Sequence, residues 1–297
     1  MTAASPSLQI YGAGRVGLAI ANLARDRGLP VAGLWNPRPL RPERARLAEG
    51  FVLVVDPPPR PAEADIWLIA VPDDAIAATG ERLAASLANG DGPRPHCAEH
   101  CAGAHAADVL TPLSRIGVPC GSWHPAMTFR GAPDDAEALS RAVIAVEGES
   151  GAVQLLTSLT DALGLARIAV AADRKADYHA ALVLAANGRV ALDAAAARLL
   201  REAGLDEETA RSVLGPLVER VEENLRSAFP QEALTGPVAR GDVGTVRRQI
   251  AALADRPELL RLYRSMGEVI MEAVPVGLRG PGHHEVMQMM REGDEAC

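Results

Sequence analysis

The chain has 297 residues, 48% of them apolar but only 3% aromatic, with a net charge of −8. That length holds one large or two ordinary domains, and the acidic balance argues against nonspecific binding to nucleic acid or to an anionic membrane surface. By composition no apolar run has the length of a membrane span, the N-terminus lacks a basic-then-apolar signal, and 4 cysteines make no disulfide framework in a chain this long. A cytoplasmic protein is expected.

The first elements alternate. Residues 7–11 read as a strand, followed without a break by Gly12-Ala-Gly-Arg-Val-Gly17, then a helix over residues 18–27 stopped by Gly28, and a second strand over residues 31–35. A Gly-x-Gly-x-x-Gly run is weak alone, but between a strand and a helix in a βαβ unit it marks a dinucleotide site. Gly12 and Gly14, with Ala13 between them, let the backbone turn and approach a pyrophosphate. Gly17 lets the helix pack on the strand, and the phosphates rest on the helix N-terminus at Arg15 and Val16. An acidic residue that would hold the ribose of NAD is missing after the second strand, where the chain reads Trp35-Asn-Pro-Arg-Pro39. Asn36 is placed to bond the ribose side and Arg38 to pair with a 2′-phosphate, with Arg41 and Arg44 nearby, so the expected cofactor is NADP.

Further strands are expected at residues 51–55, 65–71, 96–103 with its exit loop, 117–125, 142–147 and 166–170, with a helix over residues 150–163. The apolar run 65–71 reads as a strand buried on both faces. It ends in Val71-Pro-Asp-Asp-Ala75, where Asp73 or Asp74 would cap the next helix. Ligands in such sheets lie beyond the carboxyl ends of the strands, so Val71, Pro72 and Asp73 should border the nicotinamide half. His96, Cys97, His100 and Cys101 lie close together in sequence, but the C-x₃-C spacing is not that of a zinc knuckle and no second ligand pair follows. No metal is expected. The sixth strand delivers His124 at its carboxyl end, fixed by Pro125.

Past residue 170 the pattern becomes helical. Apolar residues recur at helical spacing from 173 to 203 with Gly204 as the stop, and three more helices are expected near 206–228, 242–254 and 257–273. Their apolar faces are too many for one side of a sheet, which points to burial against a second copy. The turn Leu234 to Asp242 includes Thr235, Gly236 and Arg240, with Asp242 as an N-cap. The segment 275–297 reads as a mobile tail. The expected fold is an α/β N-terminal domain with a mostly parallel, doubly wound sheet (1–170), an all-α domain for substrate and dimerisation (171–274), and the tail.

Lys175 is the only lysine among 30 basic side chains. It opens the first of these helices, with Asp173 as the expected N-cap and His179 four residues on, on the same face. An ammonium is a compact donor whose pKa falls on burial, whereas arginine does not release its proton. Asn187 is 12 residues further, about 120° round an α-helix, and shares the lysine's face only if Gly188 marks a bend.

These motifs together resemble a bacterial Rossmann-like family with a C-terminal helical domain of unknown function, within the 6-phosphogluconate dehydrogenase-like superfamily. The pieces that carry the resemblance are Gly12 to Gly17, Val71 to Ile76, His100-Cys-Ala-Gly103, Trp123-His-Pro125 with Thr128 and Phe129, Lys175 to Asn187, and Leu234 to Asp242. The family pattern reads His-x-Ser-Gly, and Ala102 replaces that serine. In hydroxyisobutyrate dehydrogenases and ketopantoate reductases of the superfamily, a lysine in the corresponding helix contacts the carbonyl or alcohol oxygen. The resemblance therefore implies an NADP-dependent oxidoreductase acting on a small oxo acid, with Lys175, His124, His179 and Asn187 as catalytic candidates. Ala102 and Gly103 join the cofactor edge, and Thr235, Gly236 and Arg240 are candidates for holding the substrate's carboxylate. Two alternatives stay open: an imine- or prephenate-type dehydrogenase led by His124, whose His-Pro element is similar to that of prephenate dehydrogenases, and an NADP-binding sensor or scaffold without turnover.

Overall fold

The computed structural model describes residues 5–56 and 59–292. Two compact units divide the chain, Met1–Gly188 and Arg189–Cys297.

The first unit is built on eight strands: β1 (Leu8–Tyr11), β2 (Val31–Asn36), β3 (Leu53–Val55), β4 (Ile66–Ile69), β5 (Cys97–His100), β6 (Cys120–Pro125), β7 (Val143–Gly148) and β8 (Ala166–Ala169). Their order in the sheet is β3-β2-β1-β4-β5-β6-β7-β8. All neighbours are parallel except β6 and β7, which run antiparallel with Ser122 opposite Glu147 and His124 opposite Ala145. Helices α1 (Arg15–Asp26), α2 (Pro42–Leu47), α3 (Asp73–Ala88), α4 (Thr111–Ser114), α5 (Asp135–Leu139), α6 (Ser150–Ala162) and α7 (Lys175–Val183) complete the unit, with a π-helical turn over Leu184–Gly188.

Burial explains the strand compositions. β1, β4 and β5 are buried at every position, as parallel strands covered on both faces must be. One face packs Leu8, Ile10, Leu68, Trp123 and Ile144 against α1, α5 and α6. The other packs Tyr11, Trp35, Trp67, Ile69 and Cys120 with Ile76 and Leu83 of α3. The buried aromatic polar atoms are satisfied: Trp123 Nε1 donates to Thr160 Oγ1 at 2.8 Å and Trp67 Nε1 to the Ala62 carbonyl at 2.8 Å. The order reverses between β1 and β4. That switch point opens a crevice at the carboxyl edge of the sheet.

The second unit holds α8 (Arg189–Glu202), α9 (Glu207–Ser227), α10 (Pro230–Ala233), α11 (Val243–Ala252), α12 (Pro257–Ala273) and α13 (Pro281–Arg291). Asp206 and Asp242 cap α9 and α11, accepting from the Thr209 and Thr245 N–H groups. Val246, Met271, Val286, Met289 and Met290 make its core.

Four sequence expectations need correction. The segment expected as a tail forms α13 over Pro281–Arg291, because Val286, Met289 and Met290 recur at helical spacing and are buried; residues 293–297 lie outside the described residues. The unit boundary falls after Gly188, not 170, since the helix carrying Lys175 packs with the sheet. Pro72, not Asp73 or Asp74, is the N-cap of α3, and Arg174, not Asp173, that of α7; the acids lie in the neighbouring turns. Finally, the helical stretch Ala172–Glu202 is long and apolar enough to cross a membrane by length and composition.

Candidate active site

The glycine loop follows β1 at the switch point. Gly12 has φ +114°, and a Cβ there would lie 2.4 Å from the Ala70 carbonyl oxygen. A Cβ on Gly17 would lie 2.0 Å from the Gly12 carbonyl oxygen, so α1 is seated directly on the loop. Gly14 differs, since the nearest atom to a Cβ there is 3.9 Å away. The first and third glycines are therefore demanded by the fold, and the second leaves open space beside the backbone. Gly14 is also the N-cap of α1 and offers no side-chain cap, so N–H groups of the first turn, which begins with exposed Arg15 and half-buried Val16, are left for an incoming anion.

Asn36 is held by backbone groups on both sides. Its Oδ1 accepts the Ala13 N–H at 3.2 Å and its Nδ2 donates to the Arg38 carbonyl at 2.6 Å. The side chain ties the end of β2 to the glycine loop. Arg38 and Arg41 are exposed beyond it. Val71 is half-buried beyond β4, and Pro72 and Asp73 are exposed at the start of α3, all at the carboxyl edge.

A second cluster forms at the ends of β5 and β6. Lys175, at the first position of α7, is only 1% exposed, and its Nζ donates to Ser122 Oγ at 2.7 Å. Burial lowers its pKa, while the neighbouring Glu147 acts in the opposite sense. Two residues along β6 on the same face, His124 Nδ1 lies 3.0 Å from the Tyr178 hydroxyl, and the rings of His124 and His179 meet edge to face at 5.7 Å. Burial, then the nearby charges of Lys175 and His179, push His124 down to about 4, so it is neutral at physiological pH. Lys175 Nζ lies 6.0 Å from the Tyr178 ring centroid. One turn of α7 thus carries the ammonium, the phenol and an imidazole to one place.

Gly103 makes this arrangement possible. A Cβ there would lie 2.3 Å from His179 Cδ2 and 2.8 Å from His124 Nε2. Its loop is clamped by His100, which is fully buried. The Nε2 of His100 lies 3.0 Å from the Ala106 carbonyl and must donate to it, leaving Nδ1 to accept the Ala102 N–H at 3.2 Å. Burial chiefly holds His100 at about 4, with its neutral ring bridging both ends of the loop. His96 pairs instead with Asp65 at 3.2 Å. Among the described residues, no three His, Cys, Asp or Glu side chains are arranged to hold a metal.

His124, His179 and Asn187 line one cleft of about 320 Å³, together with Met127, Thr128 and Leu182. Asn187 reaches it because Leu184–Gly188 is π-helical. A π turn takes up more residues than an α turn, so Asn187 falls short of the 120° offset that a regular helix would impose. Lys175 lies behind this lining rather than on it. Ala102 is buried in the core on the α3 face and does not open onto the cofactor edge as expected. Thr235, Gly236 and Arg240 belong to the second unit, where they enter the turn before α11 and the Arg240 N–H donates to the Gly236 carbonyl at 3.2 Å.

Three residues of the cluster escape a sequence reading: Ser122, Glu147 and Tyr178. Ser122 was legible in principle, two residues before His124 and so on its face of the strand. Tyr178 is three residues past Lys175. Glu147 gave no signal, since its place depends on the antiparallel pairing of β7.

Comparison with known proteins agrees with this architecture. Residues 1–125 match the model of a Rossmann-like domain, and residues 142–270 that of DUF2520, a domain of unknown function. No curated protein matches the chain. Among solved structures, a protein of Thermotoga maritima is 21% identical over 92% of this chain and 100% of its own, with a TM-score of 0.68. A Bacteroides fragilis protein named as a candidate NADP oxidoreductase is 21% identical over 90% and 98%, with a TM-score of 0.71. Plasmodium falciparum pyrroline carboxylate reductase, solved with NADP bound, is 10% identical over 97% and 99%, with a TM-score of 0.57.

Proposed function

We propose that this chain, which matches a Rossmann-like domain over residues 1–125 and a DUF2520 domain over residues 142–270, is an NADP-dependent oxidoreductase acting on the carbonyl of a small oxo acid. The observation that carries this reading is a shared sheet edge. The open glycine loop and the Lys175–His124–His179 cluster both lie beyond the carboxyl ends of strands of one sheet. NADPH, when bound, supplies the hydride. The N–H groups of the loop and of the first turn of α1 would hold its pyrophosphate, and exposed Arg38, helped by Arg41, would hold its 2′-phosphate.

Hydride arriving at a carbonyl carbon leaves negative charge on its oxygen. A fixed ammonium stabilises that charge and gives one of its N–H protons to the oxygen, which completes the alcohol and leaves a neutral amine. Lys175 supplies the cation: an ammonium has three N–H donors, and Ser122 takes one. His124 and His179 face the cleft and orient the oxygen, with Tyr178 bonded behind His124. Asn187 offers a neutral donor and acceptor on the same lining. The exposed apolar side chains Val190 and Leu192 on α8 and Val213, Leu217, Val221 and Leu225 on α9 support a homodimer, which the notably helical second unit would form.

The test is NADPH oxidation, compared with NADH, against a panel of oxo acids that includes ketopantoate, with Lys175→Arg alongside wild type. Turnover that falls about 100- to 1,000-fold in the variant with NADPH affinity kept is the expected result. An unchanged rate would refute the lysine's role. The burial of Lys175 behind the cleft, with His124 on its wall, favours one second reading: an imine- or prephenate-type dehydrogenase in which His124 leads. In that case His124→Asn abolishes turnover and Lys175→Arg does not. Absence of turnover with every carbonyl and imine substrate would leave an NADP-binding sensor.

A further inference from the structure

We infer that Ser122 and Glu147 are positioning residues for Lys175, and that with His100 they form a polar row across three strands that fixes one buried ammonium at one point. The inference rests on the reading of Lys175 as the cation of the site and extends it to the side chains that keep the cation there.

The row follows from register. His100 of β5 is paired with Ser122 of β6, and Ser122 with Glu147 of β7. Residues directly abreast on neighbouring strands share a face, with their Cβ atoms about 4.5–5.5 Å apart, so the three side chains form a line perpendicular to the strands. Each has a different task. Both nitrogens of His100 are engaged by backbone groups, so it has no acceptor to give an ammonium. Ser122 is fully buried and accepts from Nζ. Its own proton then points to the Ala102 carbonyl at 3.5 Å. Donation therefore runs one way, from Lys175 through Ser122 to the loop that carries Gly103. Glu147 is anchored by the Ala107 N–H, which donates to its Oε2 at 2.8 Å, and it supplies the opposite charge.

A lysine taken out of water tends to lose its proton unless an opposite charge and a hydrogen-bond acceptor favour the charged form. The titratable and charged groups facing Lys175 are His100 and Cys101 from β5 and its exit, His124 from β6, Glu147 from β7 and Tyr178 from its own helix. The two histidines sit at about 4 and are neutral, and burial raises both the Cys101 thiol and the Tyr178 phenol. Glu147 is the one carboxyl group of this set, and its charge favours the ammonium. Removing either Ser122 or Glu147 should therefore release the ammonium, electrically in one case and geometrically in the other.

The composition of the chain provides the readout. With one lysine in the sequence, protein labelled with ¹⁵N-lysine gives a single side-chain ammonium resonance, whose titration reads Lys175 alone without cofactor or substrate. In wild type the resonance should titrate below the ordinary lysine value. In Glu147→Gln, close to isosteric, the midpoint should fall by about a further pH unit. In Ser122→Ala it should fall likewise, and the resonance should broaden as the bonded geometry is lost. A midpoint unchanged in both folded variants overturns the proposal. Should Ser122→Ala fail to fold, Glu147→Gln decides alone. Because the titration is read on the free protein, a confirmed shift without turnover would refute the reductase and keep the cradle, and the reverse result would refute the cradle only.

Discussion

Alanine placed at each of the three loop glycines in turn separates folding from cofactor binding. At Gly12 the methyl meets the Ala70 carbonyl at 2.4 Å on a backbone with φ +114°. Positive φ costs a residue with a side chain roughly 1–3 kcal/mol and overpacking roughly 1–3 kcal/mol more, so a loss of about 4 kcal/mol is the middle estimate. In a unit the size of Met1–Gly188, each kcal/mol lowers Tm by about 2–4 °C, giving a drop of about 8–16 °C. Gly17 should behave similarly, because the clash is with backbone at 2.0 Å. At Gly14 the backbone, with φ −82° and ψ −165°, suits alanine, and no atom lies within 3.9 Å of the added carbon. There the loss of an N-cap glycine, under about 1 kcal/mol, is offset by the stiffer unfolded chain, worth about 0.4–1 kcal/mol. Gly14→Ala should therefore melt within about 2 °C of wild type. Its methyl nevertheless fills the space a pyrophosphate would enter, so NADPH affinity should fall at least about tenfold, which is about 1.4 kcal/mol. Thermal melts give the first quantity and NADPH fluorescence titration the second. Unchanged NADPH affinity in Gly14→Ala would refute the assignment of this loop.

Two further outcomes follow from the cluster. Gly103→Ala drives a methyl to 2.3 Å from the His179 ring and 2.8 Å from His124. Those rings have to move, and stability should drop by about 1–3 kcal/mol in urea denaturation while turnover falls with it; a variant as stable and active as wild type would show that the two histidines are not held against Gly103. The pH dependence of stability is set in part by His100, whose pKa is depressed from 6.5 to about 4 by burial. The unfolded chain then binds the proton more readily than the folded one, so this contribution is complete above pH 6.5 and is lost as pH falls from 6.5 towards 4. Its size is at most roughly 3 kcal/mol. Denaturation midpoints at pH 7.5 and 5.0 should differ, and His100→Gln should shrink the difference; equal midpoints in wild type would contradict a buried neutral imidazole.

The positions of the eight strands along the chain and the place of the glycine loop were legible because continuous apolar runs and a fixed glycine spacing leave few alternatives. Strand direction was not. Periodicity is the same in both senses, so nothing in residues 142–147 announced that β7 runs against β6, and Glu147 could not be placed beside Ser122. The place of Asn187 hung on a departure from the α-helix at Gly188, for a related reason. A helical wheel assumes one repeat throughout, whereas the π turn at Leu184–Gly188 changes it within the helix that matters most. Position along the chain puts Asn36 and Ala102 near the cofactor edge, but does not show that Asn36 bonds the Ala13 N–H and the Arg38 carbonyl or that Ala102 is buried. The helix at Pro281–Arg291 was hidden by its approach: the glycines and proline before it read as loop, although Val286 and Met290 four residues apart carried the helical spacing.

The placement of the tryptophans has an optical consequence. The chain has 3; Trp35, Trp67 and Trp123 all lie in the first unit, with exposures of 6%, 0% and 0%, and the helical unit has none. Tryptophan emission therefore watches the first unit alone, whereas far-ultraviolet circular dichroism is weighted towards the helices of both units. Overlaying the two signals along one denaturation curve shows whether the halves melt as a single cooperative system or in succession, with no label and no mutation.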